Sequence, residues 1–85
     1  MDDIEQVVIE YLRSRPLAAT KAGALNAETR LMESGILDSL ELMSLVTHME
    51  QQYSFSLPEG EFIPENFETP STIAQMVRRA LASRR

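Results

Sequence analysis

Ser39 is the side chain in this sequence best placed to carry chemistry. It follows Asp38 and precedes a stretch in which Leu42, Leu45, Val46 and Met49 fall on one helical face. Asp38 at the N-cap, with Glu41 three residues later able to reach back, has the form of a capping box, so a helix begins there. The first turn of a helix gathers unpaired N–H groups and the positive end of the dipole. An anionic ester on the Ser39 oxygen is favoured beside both, and the side chain projects outward, where a large modifying enzyme can reach it. Hydrolytic chemistry is a poor match. The single histidine, His48, lies on the same helix, about 13 Å up the axis at 1.5 Å per residue, where a general base needs about 3 Å. No Gly-x-Ser-x-Gly elbow is present. No residue is therefore assigned as catalytic. Asp and Ser are also ordinary residues of a helix start, so the pair alone leaves open whether Ser39 is an attachment point or simply part of a capped helix.

The elements that must position this serine follow from length and pattern. A chain of 85 residues, 44% hydrophobic and 25% charged, is expected to be a single domain spanning 1–85, stabilised by an apolar core. With no cysteine and one histidine, disulfides, Cys-based zinc sites and His-rich metal sites are excluded, and no metal is expected. The acidic start Met1-Asp2-Asp3 leads into no apolar h-region, and no stretch approaches the roughly 18 apolar residues of a membrane span. A cytoplasmic, monomeric protein is the expectation.

Charge is distributed unevenly. Residues 39–70 carry six acids and no Lys or Arg, whereas 71–85 carry four arginines and no acid. The acidic middle repels phosphate backbones, which argues against nucleic acid and for a basic protein surface as partner. Arg78, Arg79, Arg84 and Arg85 suit the negative end of a helix dipole.

Ile4, Val7, Val8, Tyr11 and Leu12 mark a first helix, with Asp2 or Asp3 as N-cap and Pro16 closing it. Residues 17–30 show no period and read as a long connection with room for a helical turn, anchored by Leu25, Leu31 and Ile36. The second helix starts at Asp38 and fades after Tyr53. Phe55, Phe62 and Phe67 read as core plugs around the turn at Pro58-Glu-Gly60 and a short helical turn near Pro64. Thr69 as N-cap with Pro70 opens the last helix, lined by Ile73, Met76, Val77, Ala80 and Leu81. The architecture is an all-α helical bundle. Met32, Met43, Met49 and Met76 pose a further question, because methionine-rich packing can yield to a guest or simply fill gaps.

The run Leu31-Met-Glu-Ser-Gly-Ile-Leu-Asp-Ser-Leu-Glu-Leu-Met-Ser-Leu-Val46, then Glu50-Gln-Gln-Tyr-Ser-Phe-Ser-Leu-Pro58, then Pro64-Glu-Asn-Phe-Glu-Thr69 with Ile73, resembles the acyl carrier protein family over residues 29–77. The resemblance implies a four-helix bundle with a short third helix and a long loop between helices one and two. It also implies a 4'-phosphopantetheine arm attached to Ser39 by a phosphopantetheinyl transferase that draws on coenzyme A. The implied protein is a carrier that holds an acyl or aminoacyl group as a thioester and is not itself an enzyme. Its partners are an acyl- or aminoacyl-activating ligase and a downstream acyltransferase or synthase. Asp38, Leu40, Glu41 and Met43, around the attachment point, are the implied docking residues.

Two residues, Ile36 and Leu37, separate Gly35 from Asp38, and Ser44 stands where fatty-acid carriers place an acid. The Gly-Ile-Leu-Asp-Ser form is more similar to D-alanyl carriers and to free-standing carriers of specialised or lipid-modifying pathways. The competing reading is a small interaction module that uses its acidic helix, with no arm, to bind a basic partner.

Overall fold

The computed structural model describes residues 3–15 and 25–83. Its elements are α1 (Asp3–Arg13), α2 (Ser39–Tyr53), two 3-10 turns (Glu59–Glu61 and Pro64–Phe67) and α3 (Pro70–Ser83). The all-α expectation holds, with α2 and α3 where the pattern put them. The short third helix of the expected four is represented by the second 3-10 turn, and no strand occurs among the described residues. The expected N-cap at Asp2, the closure at Pro16 and the first part of the 17–30 connection lie outside the described residues.

α1 packs on both α2 and α3, and the second 3-10 turn packs on α3. Apolar residues of all three helices close one core, with Val8 and Leu12 of α1, Leu45 and Met49 of α2, and Ile73 and Val77 of α3 all buried. Phe67, also buried, inserts from the second 3-10 turn. Ile9 and Ala74 join this core although neither was expected there, while Val7, Tyr11, Leu42 and Leu81 pack at its margin.

Three expectations need correction. Phe62, read as a core plug, is 37% exposed and stacks on Phe67 with ring centroids 6.2 Å apart. Phe55 is half-buried at the core edge. The short 3-10 turns present one aromatic inward and leave the other outside. Met32 and Met43 are surface residues, so only Met49 and Met76 of the four methionines line the interior. A void bounded by Leu45, Met49, Phe67, Ile73 and Met76 measures about 10 Å³, at the limit of what admits a single water molecule.

The helix ends explain where the chain turns. Ser54, in the left-handed region at φ 55°, follows α2, and the N–H groups of Ser54 and Phe55 both reach the Glu50 carbonyl. The Glu50 carboxylate accepts from the Leu57 N–H at 2.9 Å and fixes the segment that leaves α2. α3 opens on a reciprocal pair: the Thr69 N–H donates to Thr72 Oγ1 and the Thr72 N–H to Thr69 Oγ1, both at 3.1 Å. This is a capping box with threonine at its third position. Arg79 was expected to serve the dipole at the end of the last helix. Instead it donates to Glu61 Oε1 (3.0 Å) and Asn66 Oδ1 (3.1 Å) and ties α3 to both 3-10 turns. Arg84 and Arg85 lie outside the described residues.

Burial ranks the expected costs of truncation. Phe67→Ala is expected to destabilise by about 3–5 kcal/mol and Ile73→Val by about 0.5–1.5 kcal/mol. Leu40→Ala, at a position 81% exposed, is expected to stay within about 0.5 kcal/mol. Urea unfolding followed by circular dichroism checks this order, and a large loss for Leu40→Ala would show that the core is misplaced.

Candidate functional site

Ser39 is the first residue of α2, and the segment before it fixes its place. Asn26 and Thr29 close a tight turn through side-chain bonds to backbone N–H groups. A single helical turn then runs from Arg30 and ends at Gly35, whose φ of 81° is a conformation that favours glycine. Buried Ile36 and Leu37 plug the core immediately before Asp38. Two long-range backbone bonds pin this segment to the start of α3: Leu31 N–H to the Glu68 carbonyl (2.8 Å) and Ser71 N–H to the Ala27 carbonyl (3.0 Å). The helix that bears Ser39 therefore starts from an anchored loop.

Asp38 has the extended backbone of an N-cap, and its Oδ1 accepts from the Glu41 N–H at 2.9 Å. The expected second half of the capping box does not form. The Glu41 carboxylate turns to Arg15, which donates from Nε at 3.0 Å and from Nη2 at 3.3 Å in a two-point contact. The Glu41 side chain is only 16% exposed as a result. The hydrogen bond that Arg15 donates to Glu41, followed by the charges of Tyr11 and Glu41, raises the Arg15 pKa further above its already high value, so the guanidinium is held in its cationic form. The Arg15 guanidinium lies 5.5 Å from the centre of the Tyr11 ring, and Tyr11 stacks on His48 at 4.5 Å. Glu41, Arg15, Tyr11 and His48 thus form a ladder that joins the end of α1 to the exposed side of α2.

This ladder was not foreseen. Arg15 reads in the sequence only as a charge, and Tyr11 as a core-facing residue. The available signal was their spacing of four residues, which brings Arg15, just past the end of α1, back over Tyr11.

Ser39 itself is exposed, as are Asp38, Leu40 and Met43. Leu40 (81%) and Met43 (53%) are large apolar side chains left open on the surface. Of the expected docking residues, the structure brings Asp38, Leu40 and Met43 together in the open beside Ser39 and withdraws Glu41 into the contact with Arg15. A groove of about 460 Å³ begins at Leu40 and Met43 and runs along α2 past His48. The acids of this helix are all engaged internally: Asp38 and Glu50 accept from backbone N–H groups and Glu41 holds Arg15. His48, on the Tyr11 ring, is fully helical and remote from the helix start. Among the described residues no cluster of His, Asp and Glu is arranged to hold a metal ion.

The corner fits a phosphodiester. Ser39 is accessible, the first-turn N–H groups and dipole lie beside it, and the neighbouring carboxylate of Asp38 is turned toward the Glu41 N–H. The groove that begins at Leu40 and Met43 lies next along α2.

Comparison with known proteins places these features in a family. Residues 8–78 match the family described as "Phosphopantetheine attachment site". The D-alanyl carrier protein of Enterococcus faecalis is 31% identical over 75 residues, which is 88% of this chain and 94% of that protein. A chain in a crystal structure of an FAD-dependent dehydrogenase is 38% identical, with a TM-score of 0.72 over 84% of this chain and 99% of that one. A chain in the structure of Bradyrhizobium japonicum glycine:[carrier protein] ligase complexed with glycylated carrier protein is 27% identical, with a TM-score of 0.66 over 88% of this chain and 95% of that one.

The capping bond and the serine separate cleanly in stability. Asp38→Ala is expected to lose about 1 kcal/mol, while Ser39→Ala is expected to stay within about 0.5 kcal/mol. Urea midpoints of the two variants measure this. A larger loss for Ser39→Ala than for Asp38→Ala would mean that the serine is structural.

Proposed function

Because the chain belongs to the phosphopantetheine attachment-site family, a family of carriers bearing a covalent 4'-phosphopantetheine, we propose that Ser39 is the attachment residue and that the cargo is an aminoacyl group. The observation that carries the site is the exposed hydroxyl at the capped, positive end of α2, beside apolar Leu40 and Met43. The relatives named for D-alanine and glycine support an aminoacyl cargo.

In the attachment step the Ser39 oxygen forms a bond to the phosphorus of coenzyme A that bears the pantetheine. The pyrophosphate bond on the other side of that phosphorus breaks, adenosine 3',5'-bisphosphate leaves, and the serine proton passes to a base of the transferase. When bound, the group supplies a terminal thiol that holds the cargo as a thioester. This chain's own residues do the rest. Asp38 and the first turn hold the serine outward, Arg15 keeps Glu41 inward, and Leu40 with Met43 offers apolar contact to a transferase, an aminoacyl-activating ligase and a downstream acceptor enzyme. The whole chain acts as one monomeric carrier domain in the cytoplasm and does no chemistry of its own. Among the described residues no helix is long and apolar enough to cross a membrane. The armless acidic module has less support, since the carboxylates of α2 are already engaged within the fold.

Incubation with a promiscuous phosphopantetheinyl transferase, coenzyme A and magnesium is expected to add one phosphopantetheine to the wild type and none to Ser39→Ala, read by intact mass. Addition to Ser39→Ala at the wild-type level would move the site elsewhere.

A further inference from the structure

We propose that the groove along α2 is a berth in which the arm carried on Ser39 lies between encounters with partner enzymes; this rests on the attachment at Ser39 argued above. Leu40, Met43, Ser44, Thr47, His48 and Gln51 line the groove, with Tyr11 as its wall from α1. Relative to Ser39 these residues stand one, four, five, eight, nine and twelve positions on. At 3.6 residues per turn these residues form a single stripe that runs up the helix, with Ser39 at the foot of α2 just outside the edge marked by Met43.

Length, chemical order and charge agree. From Leu40 to Gln51 the helix rises about 16 Å at 1.5 Å per residue. The arm has thirteen chain bonds between phosphorus and sulfur, and at the extension of a backbone, about 1.2 Å per bond, it spans roughly 16 Å. Nearest its phosphate the arm carries a gem-dimethyl carbon, and nearest Ser39 the groove offers Leu40 and Met43. Two amides follow in the arm. Ser44, Thr47 and Gln51 follow in the groove, with hydroxyl and carboxamide groups able to pair with them. The stacked rings of Tyr11 and His48 supply a flat wall for the methylenes. No Asp or Glu lines the stripe, and the nearest acid on its side of the helix, Glu41, is turned away to Arg15. The groove therefore presents no carboxylate to the arm, whose length between phosphate and thiol is uncharged.

The alternative berth is the core, and its void of about 10 Å³ is closed to such a chain. A groove of about 460 Å³, open along its length, needs no rearrangement to receive one. A partner that seats on Leu40 and Met43 competes for the same face, so docking itself releases the arm.

The test compares the wild-type protein before and after modification by a transferase and coenzyme A, with the mass of each sample recorded. In amide correlation spectra the berth predicts shifts that continue from Leu40 through Ser44, Thr47 and His48 to Gln51. A nitroxide attached to the arm's thiol is expected to abolish the amide signals of Thr47, His48 and Gln51. Thr47→Trp, which fills the groove at an exposed position, is expected to restore the Gln51 signal while the mass gained on modification stays the same. Shifts confined to residues 38–41, or shifts centred on Val46 and Met76 of the core, would overturn the proposal. So would signal loss that grows with protein concentration, which would place the arm on a second copy. A sample that gains no mass contradicts the attachment reading instead, so the two failures are distinguishable.

Discussion

The hydrogen bond from the Glu41 N–H to the Asp38 carboxylate is the constraint on which the serine corner depends. It ends the loop and starts the helix at one residue, so the next side chain, Ser39, is committed to the first turn. That turn has donors without helical partners and a positive potential, and it faces solvent because Ile36 and Leu37 have already turned into the core. A carrier needs an attachment point that is rigid in position yet open to several large enzymes. A cap on an anchored loop meets both demands without catalytic groups.

Around this bond the charges are arranged so that little of the acidity of α2 faces outward. Arg15 reaches from the end of α1 to hold Glu41, and Glu50 fixes the exit of the helix through Leu57. The effect is a face on which apolar and neutral polar groups predominate, next to a chain that is acidic overall, with formal net charge -5. Long-range steering by the rest of the surface and close contact on a face lined by no carboxylate are thereby separated.

Much of this was legible in the sequence because it rests on local rules. The periodicity of Leu45, Val46 and Met49, the Asp38 cap and the Thr69-Pro70 start each follow from a few neighbouring residues, and each appears in the fold. What escaped involves pairing between distant segments. Glu41 reads as the partner of its own helix start, but a guanidinium 26 positions earlier offers two charge-assisted bonds and wins. Arg79 likewise bridges to Glu61, 18 positions away. Phe62 and Phe67 look equivalent in sequence, and only the geometry of two short 3-10 turns decides that Phe67 is the buried one. The groove beside Ser39 has no sequence signature of its own, since its wall, Tyr11, comes from another helix.

The central claim is that the corner makes Ser39 the point of attachment. Phosphorus–proton correlation spectroscopy on the protein after treatment with transferase and coenzyme A tests it at the level of the bond. The account predicts one phosphodiester resonance coupled to the β-protons of Ser39. A phosphorus signal coupled to any other serine, such as Ser34 or Ser44, would contradict it.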